Sequence, residues 1–149
     1  MIVPDINLLI YAYNAGSRFH QPARDWWEDC LSGDAVIGLA WVTIMGFVRI
    51  TTSPKAFAKP LPVRVATSLV VTWIEQPNVQ IIHPGKRHAE LFLGFLNSLG
   101  TGGNLTTDAH LAALAVEYQA ELHTSDTDFA RFSGLRWKNP LTSAPPPVS

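Results

Sequence analysis

Residues 1–13 read MIVPDINLLIYAY and residues 121–132 read ELHTSDTDFARF, and these two stretches decide the fold. In the first, Ile2 and Val3 form a short apolar run, Pro4-Asp5 stops it, and residues 6–13 carry a helical pattern closed by Asn14-Ala15-Gly16. In the second, residues 121–124 read as a strand, Asp126 follows, and residues 128–132 read as a helical turn. A strand that turns at once into a helix is the unit from which parallel α/β sheets are built.

The chain between these stretches repeats that alternation. Pro22 stands where the first turn of a second helix would be, and the helix runs to about residue 31 with Ala23, Trp26, Trp27 and Cys30 on one side. Residues 35–37 read as a buried strand. Residues 40–51 have apolar side chains at 41, 44, 45 and 48, the spacing of an amphipathic helix. Pro62 opens another helix with Ala66, Leu69, Val70 and Trp73 on one face, and residues 79–82 are a strand. Residues 86–99 are helical, with Leu91, Phe92, Phe95 and Leu99 inward and Gly100 as the stop. Thr107 is expected to cap a helix that continues to Tyr118, and residues 135–137 form a last edge strand. The pattern predicts an α/β sandwich around a mostly parallel sheet of four to five strands. It occupies a single domain over residues 1–141, with a flexible Pro-rich tail at 142–149.

Bulk composition narrows the function classes. The chain has 149 residues, 47% hydrophobic and 15% charged, as globular domains do. One cysteine, Cys30, allows neither an internal disulfide nor a thiolate metal site, and a reducing compartment, the cytoplasm, is the simplest setting. The apolar N-terminus lacks a basic lead and carries an acid at position 5, so it is a poor signal peptide, and no run is long and uncharged enough to span a membrane. A net charge of −1 argues against holding nucleic acid by a broad basic field. A nucleic-acid substrate would be held by local arginines and by metal ions on its phosphates.

The acids fall where a parallel sheet places ligands. Asp5 follows the first strand, Asp126 follows the strand at 121–124, and Asp108 lies in the first turn of the helix leading into that strand. If the two strands are neighbours, Asp5 and Asp126 meet beyond their carboxyl ends, at the topological switch point. Carboxylates crowded together repel one another, and Mg2+ or Mn2+ relieves this while activating water against a phosphodiester. Each aspartate taken singly also suits a helix cap, and Asp128 suits a solvated turn.

These segments resemble the PIN-domain family, specifically the VapC toxins of bacterial toxin–antitoxin pairs. MIVPDINLLIYAY is similar to the family's strand, aspartate and asparagine two residues later. WVTIMGFVRITT (41–52), LTTDAHLAALA (105–115) and TSDTDFARF (124–132) resemble its second, third and fourth motifs. The resemblance implies a metal-dependent endoribonuclease, cutting RNA with a metal-activated water to leave 5′-phosphate and 3′-hydroxyl ends. It also implies a homodimer and a VapB-type antitoxin that blocks the site. By this carry-over Asp5, Asp108 and Asp126 are ligands of Mg2+ or Mn2+, Asp128 is a direct or water-mediated one, and Asn7 orients Asp5 or a phosphate. Many relatives carry a glutamate where this chain has Gly46. Two readings follow: Thr43, one turn earlier, offers a hydroxyl to a metal-bound water, or Gly46 simply lets two helices approach. Arg49, three residues on, is placed to hold an RNA phosphate.

Two other readings stay open. A haloacid-dehalogenase-type phosphatase also begins with a strand-ending aspartate, but its motif is D-x-D and here it is D-x-N. A catalytically weakened relative would bind RNA or antitoxin without cutting. The histidines at 20, 83, 88, 110 and 123 show no metal-ligand spacing and read as structural. Adjacent Trp26 and Trp27 cannot share one helix face, so one of them is expected to meet a partner chain.

Overall fold

The computed structural model describes residues 1–142; the tail expected at 142–149 lies outside them except for Thr142, which ends a 3-10 turn. Five strands, β1 (Ile2–Pro4), β2 (Ile37–Ala40), β3 (Val79–Ile82), β4 (Glu121–His123) and β5 (Trp137–Lys138), form one sheet in the order β3-β2-β1-β4-β5, parallel throughout. Six helices connect them: α1 (Ile6–Tyr13), α2 (His20–Ser32), α3 (Trp41–Thr51), α4 (Val63–Ile74), α5 (His88–Leu99) and α6 (Leu105–Glu117).

Alternation along the strands divides the core in two. Ile37 and Leu39 of β2 face a cluster with Leu9 of α1, Trp27 of α2, Phe47 of α3 and Trp73 of α4. Val3, Ala40 and Ile82 face the opposite side, with Ala112 and Leu114 of α6 and half-buried Phe92 and Phe95 of α5. Helices therefore cover both faces, as an all-parallel sheet requires. The aromatic group of Tyr13, Phe47, Trp27 and Trp73 is locked by edge contacts at 4.7–5.5 Å and by Trp73 Nε1 donating to Tyr13 Oη at 3.0 Å.

The structure differs from the sequence reading at several boundaries. The second strand occupies 37–40, not 35–37, because Asn78 Nδ2 donates to the carbonyls of Cys30 and Ala35 and keeps that stretch in a turn. Helix α5 starts at His88 rather than 86, since the backbone N–H groups of Gly85 and Arg87 are held by the Glu117 carboxylate. Helix α6 starts at Leu105, so Thr107 lies inside its first turn and is not the cap; the carbonyls of Gly102 and Gly103 take the first N–H groups. The last strand is 137–138. Trp26 does not need a partner chain: its Nε1 donates to His123 Nδ1 at 3.0 Å and its ring lies 5.6 Å from that of Trp27. An indole is long enough to reach β4 from the flank of α2.

Candidate active site

Strand β1 lies between β2 and β4, with Ile2, Val3 and Pro4 in register with Glu121, Leu122 and His123. The chain order reverses across this pair, so the switch point lies between Asp5 and the segment after β4. The Asp5 N–H donates to His123 O at 2.9 Å, which ties the two strand ends together.

Asp5 is 5% exposed. Its Oδ1 accepts from the Ile6 N–H at 2.7 Å as the cap of α1, and its Oδ2 accepts from the Thr124 hydroxyl at 2.8 Å. Burial raises its pKa, opposed by those two hydrogen bonds and reinforced by Asp126. Asp126 caps the 3-10 turn Thr127–Arg131 by accepting from the Asp128 N–H at 2.9 Å, and its own N–H donates to Thr124 Oγ1 at 3.0 Å. Each of these two carboxylates caps a helical turn, and the charge of Asp126 is still felt at Asp5.

Asp108 is different. It is half-buried in the first turn of α6, does not cap the helix, and accepts no hydrogen bond among the described residues. Its pKa is pushed up to about 6, first by burial and then by Asp5, Asp126 and Asp128. All four acids therefore share one electrostatic neighbourhood. Exposed Asp128 belongs to it by its field on Asp108.

Thr124 joins Asp5 to Asp126 and is fully buried, yet the sequence reading passed over it. Its one local signal is T-x-D, a hydroxyl accepting from the N–H two residues on. Thr124 also supplies the orienting bond to Asp5 that was expected of Asn7. Asn7 is half-buried in the first turn of α1.

A cavity of about 480 Å³ opens beside the acids, and Asp5, Asp108, Thr43, Gly46 and Arg49 all line it. Arg49 is exposed in the last turn of α3. Gly46 is buried, and a Cβ there would overlap Ile6 Cδ1, so glycine does let α3 and α1 approach closely. Three of the five histidines sit in structural pairs: His88 Nε2 lies 2.9 Å from His110 Nδ1, and His123 Nε2 lies 2.8 Å from Glu121.

The donor set fits a hard divalent cation. The available ligands are carboxylate oxygens, two of them on groups whose pKa burial raises, and no basic side chain forms an ion pair with them among the described residues. The carboxylates are not closed into a preformed cage: among the described residues no three acidic, histidine or cysteine side chains stand close enough to hold an ion as placed. Asp5 and Asp126 are turned toward their caps.

Comparison with known proteins bears on the family and the fold. Residues 2–135 match the family model for the PIN domain. The chain is 50% identical over 141 residues to ribonuclease VapC33 of Mycobacterium tuberculosis, covering 95% of this chain and 99% of that protein. It is 43% identical to ribonuclease VapC37 of the same organism, covering 94% and 97%. Among solved structures it resembles VapBC2 of Rickettsia felis bound to a promoter DNA fragment (TM-score 0.66, 19% identity, 93% and 98% covered). It also resembles VapC20 of Mycobacterium tuberculosis, a sarcin–ricin loop cleaving toxin (TM-score 0.65, 16% identity, 91% and 99% covered).

Proposed function

The chain belongs to the PIN-domain family, and from this we propose that it is the endoribonuclease toxin of a VapBC-type toxin–antitoxin pair, dependent on Mg2+ or Mn2+. The observation that carries the chemistry is Asp108: a half-buried carboxyl, neither cap nor ion-pair partner, raised to about 6 first by burial and then by three other aspartates. A fold does not normally keep such a group for stability. Asp5, Asp108 and Asp126 would hold the ion, with Asp128 at its edge. When bound, the ion neutralises charge on the scissile phosphate and acidifies water for in-line attack.

The protein's own residues divide the remaining work. Thr124 fixes the Asp5 carboxylate and the Asp126 backbone in one stroke. Arg49, at the rim, takes a backbone phosphate of the RNA, with Asn7 as a second contact to it. Exposed Trp41, Val63 and Val71, 48%, 62% and 52% accessible, support a surface covered by a second copy of the chain. A VapB-type antitoxin would shield the acids, as the toxin–antitoxin complexes among the fold's relatives suggest. No described helix is long and apolar enough to cross a membrane, and we place the activity in the cytoplasm.

The test uses pure protein, free of antitoxin, with total cellular RNA and Mg2+ or Mn2+. Specific cleavage that disappears with chelator and in Asp5→Asn or Asp108→Asn supports the reading. RNA left intact across both metals overturns it, and turnover of small phosphate esters instead would point to a phosphatase. Light scattering with and without antitoxin checks the assembly.

A further inference from the structure

The acids use only part of the cavity. An octahedral ion with six waters occupies about 180 Å³, at about 30 Å³ per water. More than half of the roughly 480 Å³ is left. One face of α3 forms its wall, where Val42, Met45, Gly46 and Arg49 recur at helical spacing, and Ile50 and Leu111 extend the apolar side.

Thr43, which also lines this cavity, is 1% exposed, and its hydroxyl has no hydrogen-bond partner among the described residues. Helical threonines commonly bond back to the carbonyl four residues earlier, as Thr51 does to Phe47 and Thr52 to Val48. For Thr43 that residue is Leu39, which belongs to β2, so the local partner is missing. A buried hydroxyl left unpaired is costly; closed to solvent as placed, Thr43 Oγ1 would meet a partner in the cavity that Thr43 lines once the side chain turns.

An apolar wall with one sunken hydroxyl suits a flat ring with polar edges, and does not suit a ribose, which is polar all round. The geometry points to a nucleobase subsite: the base beside the scissile phosphate lies against Met45 and Ile50, and its polar edge bonds to Thr43 Oγ1. This inference rests on the ribonuclease reading for why a nucleotide arrives here. Thr43 is then a specificity-determining residue.

The test titrates the full-length protein with the four ribonucleosides and with ribose, following the methyl resonance of Met45, one of only two methionines. Base-ranked binding, at least about tenfold tighter than ribose for the preferred nucleoside, is expected. Thr43→Val is expected to compress the spread among the bases about fivefold, the worth of one hydrogen bond, without lowering Tm. Equal response to ribose and nucleosides overturns the subsite, as does a ranking that Thr43→Val leaves untouched. Should that variant not fold, Met45→Ala, at an exposed position and followed through the Ile50 methyl resonance instead, is expected to weaken every nucleoside, and unchanged binding overturns the proposal. RNA cleavage measured in parallel separates the two readings. Cleavage with base-blind nucleoside binding removes the subsite and leaves the enzyme. Base-selective binding with intact RNA supports the subsite and removes the enzyme.

Discussion

Asp108 shows how one residue separates stability from function. Its pKa is raised from 3.8 to about 6, so between about pH 4 and pH 6 the unfolded chain gives up this proton before the folded one does. Stability of the metal-free protein therefore falls as pH rises through that window and stays low above it. Asp108→Asn is expected to raise Tm at pH 7.5, to lose that advantage below pH 4, and to lower RNA cleavage at least about 100-fold, read by calorimetry and a cleavage assay. Thr124→Val has the opposite balance. It strips Asp5 of its orienting hydroxyl and the Asp126 N–H of its acceptor. Loss of such a supporting group typically costs about 10–100-fold in metal affinity or activity. Unfolding should also become easier by about 1–3 kcal/mol, because the buried Asp5 carboxylate loses a hydrogen bond and the part-buried Asp126 N–H loses its acceptor. A variant with unchanged metal affinity would assign Thr124 to stability alone.

At the scale of elements, the meeting of α1 and α3 sets the shape of the cavity. Gly46 is where Ile6 closes on α3. Alanine there gains about 1 kcal/mol of helix propensity over glycine, but overpacking typically costs about 1–3 kcal/mol. The obstacle is the terminal methyl of Ile6, which Ile6→Val removes. Gly46→Ala is thus expected to be better tolerated in the Ile6→Val background by about 1 kcal/mol, a coupling that a double-mutant cycle measures. Additive effects would show that Ile6 swings aside unaided. The strand and helix identities behind this contact are legible in the sequence, whose periodicity and stop residues give α1 and β3 their observed bounds. The misplaced starts of β2, α5 and α6 have a common cause. Each is set by a side chain or carbonyl outside the element itself, namely Asn78, Glu117 and the Gly102–Gly103 carbonyls.

For the whole molecule, the acids and the two cores are thermodynamically linked. An ion that binds the folded chain and not the unfolded one stabilises it by about 2.7 kcal/mol at 100 times its Kd. For a domain near 150 residues that is roughly 5–11 °C in Tm. Mg2+ or Mn2+ is expected to raise Tm at pH 7.5, chelator to reverse it, and Asp5→Asn to abolish it. A metal-independent Tm in scanning calorimetry would remove the ion from the site. Cys30, buried and with its pKa pushed up to about 12, should stay unreactive to thiol reagents until the fold opens.

The amino-acid sequence alone determined the alternation of strands and helices, the parallel sheet, and the three aspartates that follow strands or open a helix. Periodicity, stop residues and cap chemistry act within a turn or two of chain, so a linear reading reaches them. Tertiary structure decided which acids lack any structural partner, that Thr124 bridges Asp5 across 119 residues of sequence, and that Thr43 ends beneath a cavity with its hydroxyl unpaired. Burial and electrostatic fields sum over neighbours in space, and those neighbours exist only once the chain has closed on itself.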